Sequence, residues 1–356
     1  MKKNILGYAI LAMMAAVAVS CSNDSVTEVN QSGAIDFRIA ATRAEALTLD
    51  ALDAFKATAL NDNGEPYFEA LNFERNENNQ YKSSTSYFWP DYDLHFYAYA
   101  PASLEPEYSG TTFSLKYTPS SSIDKQEDVV AAYASGNKDS SDTGVALEMH
   151  HLLSQIGVTA FNNNGAYTYS VKGVKIANVS TSGTLTGDKG EWSWDPSETT
   201  GSYVVEFDDA VELGAEATDL LSTTGNAMIV PQEVSPWLDE NGAVANAAGA
   251  YIGLLVNIKT SAGTVVYPTD GTNYAWIATS IPAGEWLNEF HYTYNLDLTY
   301  SAGYPEPTPP NPDDDDDDDD DENPKPIMGN TIQVKVSVGS FGNTSSPDLS
   351  ADADAE

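Results

Sequence analysis

The stretch NTIQVKVSVGSF, residues 330–341, is the last part of the chain with a regular pattern. Its apolar residues Ile332, Val334, Val336 and Val338 alternate with polar ones, which is the period of a strand with one buried face. A single strand cannot satisfy its own backbone groups or bury that face, so it needs an acceptor sheet. The sequence leaves open whether that sheet lies in the same molecule or in a neighbouring one.

The preceding segment, residues 304–326, predicts an extended linker that leads to this strand and a polar tail at 327–356. The linker contains nine consecutive aspartates flanked by prolines. Adjacent aspartates repel one another and prolines favour polyproline II, so its 23 residues could reach about 70 Å. A run of identical residues lacks the ligand spacing and turn glycine of a calcium site. We therefore predict a tether, on which the strand could leave its own domain, and no metal site.

The composition of the chain favours an all-β fold. Strand and turn formers dominate, with 20 tyrosines, 25 glycines and 18 prolines, and long helical patterns are few. This composition is typical of antiparallel β-sandwiches. A Gly/Ser/Asp-rich stretch suggests a boundary between two sandwich domains, at 44–143 and 144–303. The clearest predicted strands are Leu94–Tyr99, Val171–Val179 and Phe290–Leu298, and a turn at 61–64 predicts a hairpin.

Residues 1–20 have the features of a signal peptide. Two lysines precede an apolar run at 5–19 that is shorter than the ~20 residues of a membrane-spanning helix. The sequence AVSC at 18–21 resembles a bacterial lipobox, so Cys21 is expected to carry lipid that anchors the protein. An ordinary secretory signal is the alternative. Cys21 is the single cysteine, which excludes a disulfide within the chain.

The predicted propeptide, residues 21–43, contains a short strand and ends at an arginine. Ile35, Phe37 and Ile39 alternate with polar residues. The small and polar residues that follow predict an exposed segment, in which an arginine-specific protease could cut between Arg43 and Ala44. A surface arginine in a loop is the plain alternative.

The sequence predicts neither an enzyme nor a cofactor. A net charge of −37 repels nucleic acid, so nucleic-acid binding is not expected. The chain has no Gly-x-Ser-x-Gly elbow and no phosphate-binding glycine loop. His150 and His151 would point to opposite faces of a strand, so they cannot bind one metal ion together.

Trp192 and Trp194 support an alternative function. They share one face of an extended segment and could form a stacking platform for sugar rings. In that case the protein would be a surface lipoprotein, retained in the outer membrane, that binds glycan or another ligand. Aromatic residues more often cover a core, which is the simpler explanation of the pair.

Several segments together resemble the fimbrillin family of Bacteroidetes, the subunits of type V pili. The segments are YFWP at 87–90, LHFYAYAP at 94–101, LEMHHLLSQI at 147–156, MIVPQ at 228–232, IPAG at 281–284 and YTY at 292–294. Their order and spacing, with the lipobox, the arginine and the final strand, extend the resemblance over nearly the whole chain.

The resemblance implies two transthyretin-like β-sandwich domains and assembly by strand exchange. In such pilins an outer-membrane lipoprotein precursor is cut after an arginine and its first strand leaves. The vacated groove then takes a C-terminal strand from another fimbrillin subunit. Here Ile35, Phe37 and Ile39 would be the displaced strand, and the strand at 330–341 would be the donor. The long linker and Phe341, in a place where the family often has tryptophan, depart from the pattern.

Overall fold

A computed structural model of the chain describes residues 33–39, 52–77, 80–141, 144–307 and 324–341. Cys21, Arg43 and Ala44 lie outside these residues. The lipidation and cleavage sites therefore stay predictions. The all-β prediction is confirmed, since every described element except one turn of 3₁₀-helix at Ile123–Lys125 is a strand.

The strands up to residue 151 are short to medium in length. They are β1 (Phe37–Ile39), β2 (Ala54–Leu60), β3 (Pro66–Arg75), β4 (Tyr81–Lys82), β5 (Leu94–Ala100), β6 (Glu107–Ser109), β7 (Thr112–Tyr117), β8 (Val130–Gly136), β9 (Val145–Leu147) and β10 (His150–His151).

The later part of the chain contains the longest strands. They are β11 (Ser154–Phe161), β12 (Tyr167–Ser180), β13 (Gly183–Asp188), β14 (Glu191–Pro196), β15 (Thr200–Glu212), β16 (Thr218–Asp219), β17 (Ala227–Ile229), β18 (Gln232–Val234), β19 (Tyr251–Thr260), β20 (Val265–Tyr267), β21 (Ala275–Ser280), β22 (Gly284–Trp286), β23 (Phe290–Asp297), β24 (Tyr304–Pro305) and β25 (Gln333–Ser340).

The first sheet has eight strands in the order β10-β8-β5-β2-β3-β4-β1-β9. Strands far apart in this order contribute to one core, so that Phe37 of β1 packs against Phe96 of β5. The sheet is mixed, because β1 runs antiparallel to β4 and parallel to β9. The sheet therefore curves around a core that contains the first strand of the described chain.

A smaller sheet joins the two predicted domains. Its order is β14-β13-β7-β6, and Leu115 of β7 pairs with Leu185 of β13. It covers the outer face of β5, which explains why Tyr97 and Tyr99 are buried as fully as Phe96 and Ala98 on the opposite face. The predicted boundary at residue 144 stays a prediction, but pairing of described strands crosses it in three places: β7 with β13, β1 with β9, and β8 with β10.

The C-terminal half is a sandwich of two sheets. One has the order β15-β12-β19-β21-β24 with β20 beside β19, and the other has the order β16-β11-β23-β25 with β17 beside β11. Their inner faces share one core, which includes Val174, Leu254, Val158 and Tyr294. Strand β24 occupies the first two residues of the span predicted as linker. Tyr304 is buried there against Trp237.

Candidate functional site

The predicted displaced strand is paired on both sides in the first sheet, next to the edge strand β9. Strand β1 lies between β4 and β9, with Phe37 opposite Tyr81 on one side and opposite Val145 on the other. Ile35 and Phe37 are 4% and 2% exposed, and Ile39 is half-buried. The side chain of Arg38, between them in sequence, is exposed. The alternation predicted from the sequence is therefore the burial pattern that the structure shows.

Phe37 fills an aromatic pocket. Its ring lies 4.7 Å from that of Phe73, 5.3 Å from that of Phe96 and 5.9 Å from that of Phe55, with interplanar angles between 78° and 89°. Edge-to-face packing of this kind is favourable beyond the burial of area alone. Phe73 and Phe55 also stack on each other at 5.6 Å. Phe37 is thus the large residue at the centre of this aromatic cluster.

The backbone of the first strand is held along its length. The Ile35 amide donates to the Tyr87 carbonyl at 2.8 Å, and the Val145 amide donates to the Asp36 carbonyl at 2.8 Å. Ala34 forms an isolated antiparallel bridge with Phe88. We call the space that Ile35, Phe37 and Ile39 occupy between these neighbours the first-strand groove. Any segment that replaces the strand there must be extended and must offer the same backbone groups.

Asp36 places a carboxyl group in this otherwise apolar site. Burial raises its pKa above the usual value, and the nearby Lys82 ammonium partly opposes this effect. The shift favours the protonated form in the docked state. Retention of the first strand is therefore weaker at neutral pH than in acid.

The predicted donor strand is paired within its own chain. Strand β25 runs antiparallel to β23 over eight residue pairs, which include Val334 with Leu296, Val336 with Tyr294 and Val338 with Tyr292. These three valines are half-buried against the C-terminal core. Among the described strands β25 pairs with β23 alone, so it forms an edge of the sheet. The sequence left open whether the acceptor sheet lies in the same molecule or in a neighbouring one. In the single chain, it lies in the same molecule.

Both ends of this strand are anchored. At one end Ile332 is 6% exposed, and the Ile327 amide donates to the Gly303 carbonyl at 2.8 Å. At the other end Phe341 is 3% exposed, and its amide donates to the Glu289 carbonyl at 2.9 Å. Residues 303 and 327, on either side of the predicted linker, are therefore in contact.

The ring of Phe341 rests on His151, one of two adjacent histidines to which the sequence analysis assigned no role. The ring of Phe341 stacks on His151 with 4.0 Å between centroids, and His151 Nδ1 bonds a carboxylate oxygen of Asp128. His150 Nδ1 lies 2.6 Å from Glu289 Oε1. That bond raises the pKa of His150, although burial opposes the effect. The pair joins the first sheet to the start of β23, on opposite faces as expected from the sequence.

The two strands predicted to exchange do not meet within the chain. Strand β1 belongs to the first sheet and β25 to the C-terminal sandwich, with no shared pairing among the described strands. Their apolar faces share the same two-residue period, which was the signal in the sequence. They occupy separate acceptors in the same chain.

The two tryptophans of the alternative function pack inward. Trp192 is half-buried, with its ring 5.4 Å from that of Phe113 and 6.2 Å from that of Tyr97, both edge-on. The Trp194 indole donates to the Leu152 carbonyl. Covering a core, which was the simpler explanation, agrees with these contacts.

Within the described residues no group of three or more histidine, cysteine, aspartate or glutamate side chains could hold a metal ion. In the same part of the chain, no helix is long and apolar enough to cross a membrane.

Comparison with known proteins gives a family and a fold. A family model described as fimbrillin-like matches residues 42–306. No curated protein matches the chain. A crystal structure of a fimbrial protein from Bacteroides vulgatus ATCC 8482 has 14% identity and a TM-score of 0.55, with 86% of this chain and 99% of that chain covered. At that identity the likeness shows a shared fold.

Two further solved structures overlap over a similar length. A candidate cell adhesion protein from Bacteroides uniformis ATCC 8492 has 14% identity and a TM-score of 0.43, with 86% of this chain and 97% of that chain covered. One from Parabacteroides distasonis ATCC 8503 has 9% identity and a TM-score of 0.43, with coverage of 86% and 98%.

Proposed function

Since the chain belongs to the fimbrillin-like family, we propose that it is a structural subunit of a cell-surface fimbrium that supports adhesion and polymerises by strand exchange. In this proposal an arginine-specific protease cuts between Arg43 and Ala44, and the first strand leaves its groove. A C-terminal strand of another fimbrillin subunit then fills the groove. The contact is head-to-tail, so it builds a filament rather than a closed dimer.

The observation that carries the proposal is the position of β1. It is paired on both sides, with β4 and with β9, yet Arg43 lies between it and β2, so one cut leaves it attached by non-covalent contacts alone. Fully burying a side chain of this size contributes about 1.5–3 kcal/mol, or roughly 3–6 kcal/mol for Ile35 and Phe37 together, and the half-buried Ile39 adds less. The empty groove would expose that apolar surface to water. A replacement strand therefore has a strong driving force for binding.

The C-terminal strand is suited to donation because it sits at an edge. Its departure breaks pairing with β23 and no other described strand. Ile332, Val334, Val336 and Val338 then offer a continuous apolar face to a groove that takes alternating residues. The predicted linker at 304–326 gives the reach. In the unprocessed chain both exchange strands are thus paired with strands of the same molecule.

Export as a lipoprotein completes the proposal. Residues 1–20 act as the signal peptide, and Cys21 carries the lipid that holds the precursor at the outer membrane. Cleavage at Arg43 separates the subunit from that anchor, so maturation and release are one event.

The experiment is mass spectrometry of the N-terminus in material sheared from the cell surface, for the native chain and for Arg43→Lys. The native chain should begin at Ala44, and the lysine variant should keep acylated Cys21 and form no ladder on a non-boiled gel. Arg38→Lys is the matched control, because this neighbouring arginine is exposed in β1 and should change neither readout. Sheared native material that always carries Cys21 would contradict the proposal and favour a retained lipoprotein.

A further inference from the structure

The first-strand groove is lined at its centre by aromatic rings. Its central pocket holds a phenylalanine, with three aromatic rings around Phe37 at 4.7–5.9 Å. Phe55 and Phe73 are 0% and 1% exposed and lie on paired strands of the same sheet. Walls of this kind relax only partly when the central group shrinks. A smaller residue would therefore leave a cavity.

The C-terminal strand of this chain lacks a residue of that size on its apolar face. Positions 334, 336 and 338 are all valine. Sliding the strand by two residues places another valine in the pocket, and sliding it by one turns the apolar face outward. Ile332 is larger, but the neighbouring position on the same face is then Asn330, which would bring a polar amide into an apolar pocket.

The one aromatic residue of the segment is out of phase. Phe341 is an odd-numbered position in a strand whose apolar face is even-numbered, so a regular strand points it to the opposite side. In the structure it serves another purpose, as the anchor stacked on His151. The chain therefore has an acceptor made for phenylalanine and a donor face made of valines.

We propose, resting on the strand-exchange function above, that the groove takes the donor strand of a different subunit in preference to that of a second copy of this chain. The partner segment is extended and carries phenylalanine or a residue of similar size, with branched aliphatic residues two positions to either side. This is the pattern of Ile35, Phe37 and Ile39. A valine strand is disfavoured because it leaves a cavity and loses the edge-to-face contacts. The subunit thus joins unlike neighbours within a mixed fibre.

The test uses the full precursor, cut after Arg43 by an arginine-specific protease, and fluorescently labelled synthetic peptides that compete with the first strand. The peptides are residues 33–43, residues 330–341, and three versions of the latter with Val334→Phe, Val336→Phe or Val338→Phe. The version with Ser337→Phe is the matched control, since it adds the same ring to the polar face.

We expect the first-strand peptide to bind, and at least one of the three valine-to-phenylalanine peptides to bind about tenfold or more tightly than the native 330–341 peptide. The Ser337→Phe peptide should show no such gain. Native 330–341 binding as tightly as the best phenylalanine version would overturn the preference and leave strand exchange intact. Failure of every peptide, including the first-strand peptide, would overturn strand exchange and this proposal with it.

Discussion

Replacing Phe37 by alanine gives the sharpest test of how the first strand is held. Phe37 is 2% exposed and contacts three phenylalanine rings. Truncating a core phenylalanine to alanine costs about 3–5 kcal/mol. Strand β1 is three residues long, and the other large buried side chain of this segment, Ile35, lies just before it. A loss of this size is a large part of what retains the strand, so Phe37→Ala should release it without cleavage.

The assay is the rate of cleavage after Arg38 by an arginine-specific protease, in a chain that carries Arg43→Lys so that the predicted processing site is not cut. Cleavage there requires the strand to leave the sheet, and its rate follows the population of the open form when closing is fast. A cost of 3 kcal/mol corresponds to about a hundredfold increase in that population. Phe88→Ala is the matched control, because Phe88 is 56% exposed although its backbone bridges the same strand. It should change the rate by less than about threefold.

An unchanged rate of cleavage in Phe37→Ala would refute the assignment of Phe37 as the main anchor. Equal acceleration in Phe37→Ala and Phe88→Ala would mean that the effect is not specific to the aromatic pocket around Phe37.

The remaining predictions concern charge and the C-terminal strand. Burial raises the pKa of Asp36 above 3.8, so its contribution to strand docking is full below that pH and is lost as the pH rises through the raised value. Asp36→Asn should therefore slow release of the first strand at pH 7 and have little effect near pH 3, measured in the chain cut after Arg43. The bond to Glu289 raises the pKa of His150, so it stabilises the folded chain fully below about pH 6.5 and stabilises it less above the raised pKa. Glu289→Gln should therefore flatten the pH dependence of the urea unfolding midpoint between pH 6 and 8. Phe341→Ala should weaken docking of the C-terminal strand by about 3 kcal/mol, seen as faster amide hydrogen exchange in β25 with no change in β2. Val336→Asp should lower the free energy of unfolding of the unprocessed chain by about 1–3 kcal/mol, because β25 is paired with β23 of the same chain. An unchanged urea midpoint would mean that the strand is free in solution.

The local features of the fold were predictable because they depend on neighbours in sequence. Alternation at Phe290–Leu298 predicted β23, and Tyr292 and Tyr294 on its apolar face are buried as expected, although Phe290 at its start is 41% exposed. The turn after β2 was also predictable, since the Asn61 side chain accepts the amides of Asn63 and Glu65 at 2.9 Å.

Long-range pairing was not predictable from these patterns. Alternation shows which face of a strand is buried but not which strand covers it. The pairing of β7 with β13 makes the outer face of β5 a second core, and nothing in the sequence near residue 97 reports that. Similarly, the isolated appearance of the stretch 330–341 does not reveal its pairing with β23, more than thirty residues earlier in the chain.

The anchor at Phe341 was missed for a related reason. Its partner His151 is distant in sequence, and the histidines were considered as metal ligands rather than as stacking surfaces. An aromatic residue directly after an alternating run, out of phase with it, was the available signal. Such a residue indicates an end contact rather than a place on the apolar face.

The central claim is that a strand from another chain fills the first-strand groove in the assembled fibre. Electron cryo-microscopy of native fibres, at a resolution that distinguishes aromatic from aliphatic side chains, tests it directly in the density between Tyr81 and Val145. The account predicts an extended segment that is continuous with a neighbouring subunit and places a large residue among Phe55, Phe73 and Phe96. Density for residues 33–39 of the same chain in that position would contradict it.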